Sequence, residues 1–476
     1  MKISILPVLL FLPVCASANI RPPAPILRHN LSPEVLDRIF DGKVVPVENT
    51  PVREQRKILY AESESPPAAP RFALDLDTIP VEFRDTIAGF DRLPHKNQEE
   101  TPEQVAKIND MIRRQNQGRR FGKIKEWTYD GRPNEPIWTC LAHAAASAND
   151  WWAQQLGRSL PQHESRSHGG NETGLDPTLL ELEYFRRSRI SSGNGDPDFV
   201  VPPKFIQKDP VRNTGFPYEP RGYAKLLTEK KSYTVKDPIS GKVFTYKPEM
   251  SAMEGEWKQL FTNSVFRGRT PLKYAKVLKE GLQRWGIAYV QLEHTEHPRW
   301  PGAHAVAVVG YFCMEQGERL IHCSTNQTDK DWGEKTYFIA HDSFGKFPAS
   351  LPRTANSASA YRAVRITSID QAIVFPHGLK LDVSPRPGVA GAWGLRVTNT
   401  AGIDVIPSAV KALGADGIEL TVQSEADGSF FMEGEKGDAL RIYIEAPYYH
   451  ARNGLGRGFV IELDDALRSA VPIRQD

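Results

Sequence analysis

Residues 134–146 of this chain read NEPIWTCLAHAAA, and this stretch decides how the rest of the sequence is interpreted. Cys140 lies where a run of alanines and other small residues begins. Small side chains favour a helix that packs closely against its neighbours, and Gly157 is placed to end it. The pattern predicts a helix from Cys140 to Leu156 that begins at a thiol. A helix start favours the thiolate, which is the nucleophilic form of cysteine.

Two later stretches supply the other groups that a nucleophilic thiol needs. Residues 302–311, GAHAVAVVGY, predict an apolar strand that opens with His304, and residues 337–345, YFIAHDSFG, predict a strand followed by Asp342. The imidazole would accept the thiol proton, and the carboxylate would hold the other ring nitrogen. With Cys140, these residues predict a hydrolase that uses a cysteine nucleophile.

Several polar residues near these motifs have alternative roles. Asn134, six residues before Cys140, is the candidate oxyanion donor together with the Cys140 backbone N–H. His143 is a rival base, but a neighbour one helical turn away lies beside the thiol rather than opposite it. No compact four-ligand set accompanies Cys140 and His143, so neither a metal nor another cofactor is expected. His322 and His341 are expected to be packing or surface residues.

The length of 476 residues favours roughly two to four domains. A net charge of +2 gives no case for binding nucleic acid or an anionic membrane. Lys2 precedes an apolar run that ends in the sequence CASA at residues 15–18, which predicts a secretory signal peptide (residues 1–18) cleaved near Ala18. The protein is therefore expected to be secreted or periplasmic. Acylation at Cys15 is the alternative, although Val14 fits a lipoprotein signal poorly. No later stretch is long and apolar enough to span a bilayer.

Removal of the signal peptide leaves three cysteines: Cys140, Cys313 and Cys323. An odd number in an exported protein indicates one unpaired thiol. Cys313 and Cys323 flank a predicted turn between two apolar strands, where they would face each other and form a disulfide. The alternative is that both are reduced and buried as small apolar side chains. In the first case Cys140 is the free thiol of the mature chain.

The composition and the predicted secondary structure change along the chain. Residues 19–120 are rich in proline and charge and include a predicted helix from Thr101 to about Arg114. Residues 121–377 mix predicted helices with antiparallel strands, and their segment 190–255 predicts loops with a few short strands. Residues 378–476 predict short strands between Gly, Asp and Asn turns, as in an all-β sandwich-like domain. The expected fold class is α+β.

Several of these motifs resemble papain-like cysteine peptidases. The His304 strand resembles their histidine strand, the turn at residues 342–345 (DSFG) is similar to their Asn-Ser-Trp-Gly turn, and Asn134 matches the place of their oxyanion glutamine. The resemblance covers about residues 121–377. It implies a papain-like helical subdomain plus an antiparallel sheet, and hydrolysis of polypeptide substrates through Cys140, His304 and Asp342.

The chain also departs from that pattern. The family's Cys-Gly-Ser-Cys-Trp reads WTCL at residues 138–141, Asn134 is shorter than glutamine, and Asp342 replaces asparagine. The separation of Cys140 from His304 exceeds the roughly 130–150 residues usual in the family. These differences indicate a divergent bacterial group, similar in style to the C39-like peptidases.

Other interpretations of the chain stay open. A Cys-His-Asp acyltransferase or a cell-wall amidase would use the same residue types, although such folds usually have cysteine and histidine closer together. A catalytically inactive papain-like scaffold would instead serve as a surface or binding protein. Residues 19–120 are either an inhibitory propeptide that acts within the same molecule or a linker with an ordinary helix.

Overall fold

The computed structural model describes residues 76, 79–96, 106–107, 109–110, 113–114, 117, 140–164, 171–190, 220–237, 241–263, 270–292, 304–315, 319–323, 328, 333–343, 361–425, 429–435, 437–449, 457–463 and 468–472. The predicted signal peptide and Asn134 lie outside these residues. The described part of the chain combines helices with antiparallel sheets, in agreement with the α+β class. None of its helices has the length and apolar character needed to cross a bilayer.

The described residues include four α-helices: α1 (Cys140–Gln155), α2 (Pro177–Ile190), α3 (Pro220–Thr228) and α4 (Tyr274–Trp285). Helix α1 begins at Cys140, as the alanine run predicts. Helix α3 lies in the segment predicted to contain only loops and short strands. Its apolar residues Tyr223, Leu226 and Leu227 are all buried, and tertiary packing of this face stabilises a helix too short to be stable alone.

Strands follow in chain order as β1 (Arg84–Thr86), β2 (Gln162–Glu164), β3 (Asn171–Thr173), β4 (Tyr233–Lys236), β5 (Val243–Tyr246), β6 (Lys258–Thr262), β7 (Ala288–Leu292), β8 (His304–Glu315), β9 (Arg319–Ile321), β10 (Thr336–His341), β11 (Tyr361–Arg365), β12 (Ile369–Val374), β13 (Leu379–Pro385), β14 (Ala392–Asn399), β15 (Ala409–Leu413), β16 (Glu419–Leu420), β17 (Val422–Ser424), β18 (Phe430–Glu433), β19 (Ala439–Glu445), β20 (Arg457–Glu462), β21 (Arg468–Ser469) and β22 (Val471–Pro472). The main sheet has the order β11-β10-β8-β7-β12-β6, with β1 and β9 also paired to β8. All of its pairs are antiparallel.

The main sheet lies between two helical layers. Ala305, Ala307 and Val309 of β8 belong to the same buried cluster as α1, whereas Val306 and Val308 belong to the cluster that contains α4. This alternation is the two-residue period of a strand buried on both faces. The helix that begins at Cys140 is thereby held against the strand that begins at His304.

A β-bulge interrupts β8 where it pairs with β10. Ala340 pairs with Val308 and Ile339 pairs with Gly310, so Val309 has no opposite residue. After the bulge, odd- and even-numbered side chains of β8 change faces: Tyr311 packs in the α4 cluster and Phe312 in the α1 cluster. The extra residue therefore sets which side chains of this strand reach each layer.

Residues 79–96 are part of the same folded unit as the main sheet. Strand β1 pairs with β8 from Arg84 opposite Phe312 to Thr86 opposite Gly310. The apolar side chains of this segment are buried in the α1 core: Ile79, Phe83, Ile87 and Leu93. The sequence predicts a domain boundary at residue 121, but residues 84–86 on the other side of that boundary belong to the main sheet. The sequence gives no sign of this because the partner strand, β8, lies more than two hundred residues later.

Two five-stranded antiparallel sheets follow from Leu379. One has the order β17-β18-β14-β13-β21 and the other β16-β15-β19-β20-β22. Alternate residues of both sheets are buried in one cluster, with Leu381 and Val397 from the first and Ile442 and Phe459 from the second. This is the arrangement of strands predicted for the sandwich-like region.

The β-rich region packs against the C-terminal half of α1. Trp151 makes an edge contact with Tyr448, and Trp152 makes one with Tyr449. His377, at the start of this region, stacks on Trp152 with ring centroids 3.6 Å apart. One helix thus presents Cys140 at its first residue and an aromatic docking surface near its last turn.

Candidate active site

Three neighbouring strands bring polar side chains to one end of the main sheet. Strands β8, β10 and β11 are successively antiparallel, so the start of β8, the end of β10 and the start of β11 lie at the same edge. His304 is the first residue of β8, and Asp342 follows the last residue of β10. Arg362 is the second residue of β11. The fold therefore brings together two predicted site residues and one that the motifs did not identify.

Cys140 joins this group from helix α1, which packs on one face of the main sheet. It is the first residue of α1 and is only 5% exposed. The Tyr289 hydroxyl of β7 donates a hydrogen bond of 3.0 Å to the Leu141 carbonyl, which ties the first turn of α1 to the sheet. Cys140 is close enough to the His304 imidazole to contribute, after Asp342, to raising its pKa.

The His304 ring is held between the thiol and a carboxylate. Its Nε2 lies 2.8 Å from Asp342 Oδ1, and both side chains are buried. Because the carboxylate holds Nε2, Nδ1 is the ring nitrogen left for the thiol, the reverse of the serine-protease arrangement. Burial alone lowers the pKa of His304, but the charge and hydrogen bond of Asp342, together with Cys140, raise it to about 9. The imidazole is therefore protonated at neutral pH.

Arg362 is the second partner of Asp342. Its Nε lies 2.5 Å from Asp342 Oδ2, and the two side chains are 10% and 1% exposed. The carboxylate is thus held on one oxygen by His304 and on the other by a guanidinium. Sequence reasoning missed Arg362 because β11 also carries Arg365, which donates to the Tyr337 hydroxyl, and nothing local distinguishes the two arginines.

Two further histidines lie beside this group. His95, from the segment that carries β1, donates from Nε2 to the backbone carbonyl of Asp342 at 3.2 Å. His341 makes edge contacts with His95 and with Tyr361. Burial, and secondarily the charge of His95, lowers the pKa of His341 to about 3. His341 is thus a neutral packing residue, in keeping with its predicted role.

The remaining candidates have distinct positions. His143 is buried in the first turn of α1. Cys313 and Cys323 form a disulfide, and Cys140 is the free cysteine of the described residues. The predicted oxyanion donor, Asn134, lies outside the residues that the structure describes.

The group of Cys140, His304, Asp342 and Arg362 contains a thiol, a protonated imidazole, a carboxylate and a guanidinium within one buried network. Such a set can generate a thiolate and deliver a proton, which are the two requirements of acyl transfer through cysteine. A scan of protein-family models and searches of curated proteins and of solved structures found no match to this chain.

Proposed function

We propose that this chain is an exported cysteine endopeptidase with a divergent papain-like catalytic unit. The observation that carries the proposal is the buried His304–Asp342 pair, in which Nε2 lies 2.8 Å from the carboxylate, beside the Cys140 thiol, which helps to raise the pKa of the imidazole. The three residues come from a helix start, a strand start and a strand end. This matches the chain order and the element types that the resemblance to papain-like peptidases implies.

In the proposed mechanism the Cys140 thiolate attacks the carbonyl carbon of the scissile peptide bond. The negative oxygen that forms is stabilised by the Cys140 backbone N–H and by Asn134. Protonated His304 donates its proton to the leaving amine, so the C–N bond breaks and a thioester remains. Neutral His304 then removes a proton from water, which attacks the thioester and releases the acid. Asp342 holds the imidazole in position throughout.

Export and substrate class are part of the same proposal. The predicted signal peptide favours a secreted or periplasmic location, where a disulfide between Cys313 and Cys323 is stable. The substrates are polypeptides, because the network suits acyl transfer from an amide.

The test is hydrolysis of casein by the purified mature protein. Cys140→Ala and His304→Ala should each lower kcat/KM by at least about 10³-fold. His322→Ala is the matched control, because His322 stacks on Phe83 instead and its loss should leave activity near that of the wild type. Equal hydrolysis by the wild type and Cys140→Ala would refute the proposal. Amine incorporation or peptidoglycan release without hydrolysis of casein would favour the acyltransferase or amidase alternative.

A further inference from the structure

Arg362 has no role in the proposed mechanism, yet its guanidinium forms a largely buried ion pair with Asp342. We propose that Arg362 is a positioning residue that offsets part of the charge of Asp342, so that the imidazole and the thiol experience a weaker negative charge than they would without the guanidinium. This inference rests on the proposed peptidase function. It is carried by the ion pair between Arg362 Nε and Asp342 Oδ2, with the other oxygen, Oδ1, on His304.

The backbone fixes Arg362 at this position. Arg362 pairs with Ala340, and the neighbouring Tyr361 pairs with His341, directly before Asp342. The Tyr361 hydroxyl donates to the Phe90 carbonyl at 3.1 Å, which anchors the start of β11 to the segment that carries β1. The register of β10 and β11 therefore places the guanidinium next to the carboxylate.

The charges explain why the pair matters. Asp342 is 1% exposed, and a carboxylate removed from water is costly unless it is paired. His304 is a conditional partner, since it is charged only while protonated, whereas a guanidinium is always charged. Arg362 therefore gives Asp342 a counter-charge at every stage of the reaction cycle.

The same pairing limits how strongly Asp342 retains the proton of His304. A carboxylate without a counter-charge would hold the imidazolium too tightly for efficient proton donation to the leaving amine. The motif that this chain resembles has a neutral asparagine where Asp342 lies. A carboxylate and a guanidinium together also carry no net charge. With Arg362 beside it, Asp342 can orient the imidazole much as the neutral asparagine of that motif does.

Among the contacts described for Asp342, Arg362 is the partner that is always charged. His341, from β10, is neutral because burial, and then the charge of His95, lowers its pKa to about 3. His95 Nε2 lies 3.2 Å from the backbone carbonyl of Asp342. Lys96 acts on His341 by charge but forms its ion pair with Asp150.

The experiment compares Arg362→Gln, Asp342→Asn and the double variant by two measurements. The first is the pH dependence of Cys140 alkylation by iodoacetamide, followed by mass spectrometry. The second is the pH dependence of kcat/KM with casein. Removal of the guanidinium should move both pH midpoints upward by about one unit, and removal of the carboxylate should move them downward. The double variant, which has neither charge, should return close to the wild-type midpoints.

Arg362→Lys separates charge from geometry. Because it keeps the charge, its midpoints should stay near the wild type, while kcat falls because an ammonium group cannot reproduce the planar Nε contact with Oδ2. A purely structural role predicts lower thermal stability for Arg362→Gln with unchanged midpoints, and that result would overturn the inference. If Arg362→Gln does not fold, the difference between Asp342→Asn and the double variant decides: identical midpoints in these two overturn it.

The alkylation measurement needs no peptidase substrate. A wild type that does not hydrolyse casein would therefore count against the proposed function, while the alkylation midpoints would still report whether Arg362 offsets Asp342.

Discussion

The Lys96 ammonium group lies 2.9 Å from the Asp150 carboxylate, and their side chains are 1% and 0% exposed. Lys96 also donates to the Thr173 carbonyl at 2.9 Å, and Asp150 accepts from the Leu175 N–H. Burial raises the pKa of Asp150, while the positive charge of Lys96 opposes that shift. This pair therefore joins the segment that carries β1 to the middle of α1.

We expect Lys96→Met to lower the free energy of unfolding by about 3–5 kcal/mol, because it leaves a buried carboxylate without its partner. Urea denaturation measures the loss. Lys411→Met is the matched control, since Lys411 pairs with Glu419 at side-chain exposures of 52% and 60% and should contribute less than about 1 kcal/mol. Similar small losses in both variants would contradict a structural role for the buried pair.

The charge state of His304 predicts the alkaline limit of activity. Its pKa is about 9 in the folded protein, because Asp342 and Cys140 outweigh the effect of burial. The imidazolium that protonates the leaving amine is lost above this pH, so kcat/KM should fall with a midpoint near pH 9. A profile that declines near pH 6.5, the ordinary histidine value, would show that the network does not raise the pKa.

The same pKa also predicts how stability depends on pH. The folded-state pKa lies above the unfolded value of about 6.5, so protonation of His304 favours folding. This contribution, on the order of 3 kcal/mol, is complete below about pH 6.5 and is lost as the pH rises through about 9. His304→Gln should therefore flatten the decline in unfolding free energy between these pH values. An unchanged slope would indicate that another group is responsible.

Gly310 tests whether β1 is an integral part of the sheet. A Cβ at this position would lie 2.4 Å from the Asp85 carbonyl, so Gly310→Ala must push β1 away from β8. We expect a loss of about 2–4 kcal/mol in unfolding free energy, because the strand pairing and the packing of Phe83 and Ile87 are disturbed. Gly394→Ala is the control on another strand, since its nearest atom, the Ser384 carbonyl oxygen, is 3.9 Å away. Equal stability of the two variants would mean that β1 is only loosely attached.

The contact between Trp152 and His377 predicts that the two parts of the chain unfold together. Trp152 is fully buried beneath His377 and Tyr449, and Nδ1 of His377 lies 3.4 Å from Glu254 Oε1. Calorimetry of the full chain should show one cooperative transition, because separation would expose this aromatic surface. Trp152→Ala should lower the free energy of unfolding by about 3–5 kcal/mol. Two well-resolved transitions in the wild type would contradict the prediction.

A milder change at the same interface provides the control. Tyr448→Phe removes one hydrogen bond, from the Ala88 N–H to the Tyr448 hydroxyl at 2.7 Å, and keeps the aromatic ring. It should cost only about 1 kcal/mol. A loss as large as that of Trp152→Ala would show that the hydrogen bond, and not the aromatic packing, holds the interface.

Much of the local structure follows from patterns of neighbouring residues. The alanine run after Cys140 predicts a closely packed helix, and α1 begins at that residue. The apolar stretch after His304 predicts β8. These predictions succeed because the spacing of apolar residues that distinguishes a helix from a strand extends over only a few positions. Helix α3 was missed because its nine residues lie in a polar, proline-punctuated region.

The long-range pairings could not be derived in the same way. The attachment of residues 79–96 to β8 depends on backbone groups far apart in the chain, and neither segment carries a local signal for the other. Arg362 is a similar case, because its sequence context does not distinguish it from Arg365. Its partner is chosen by the register of β10 and β11, which aligns it with Ala340 near Asp342.

The sequence by itself determined the residue types of the candidate site, their order and the elements that carry them. It identified Cys140, His304 and Asp342 because thiol, imidazole and carboxylate chemistry is specific to those side chains. Only the tertiary structure decided that Nε2 of His304 faces Asp342, that Arg362 takes the second oxygen, and that His341 is neutral. The physical reason is that charge states and partners depend on distance and burial, which arise when strands remote in sequence are aligned in one sheet.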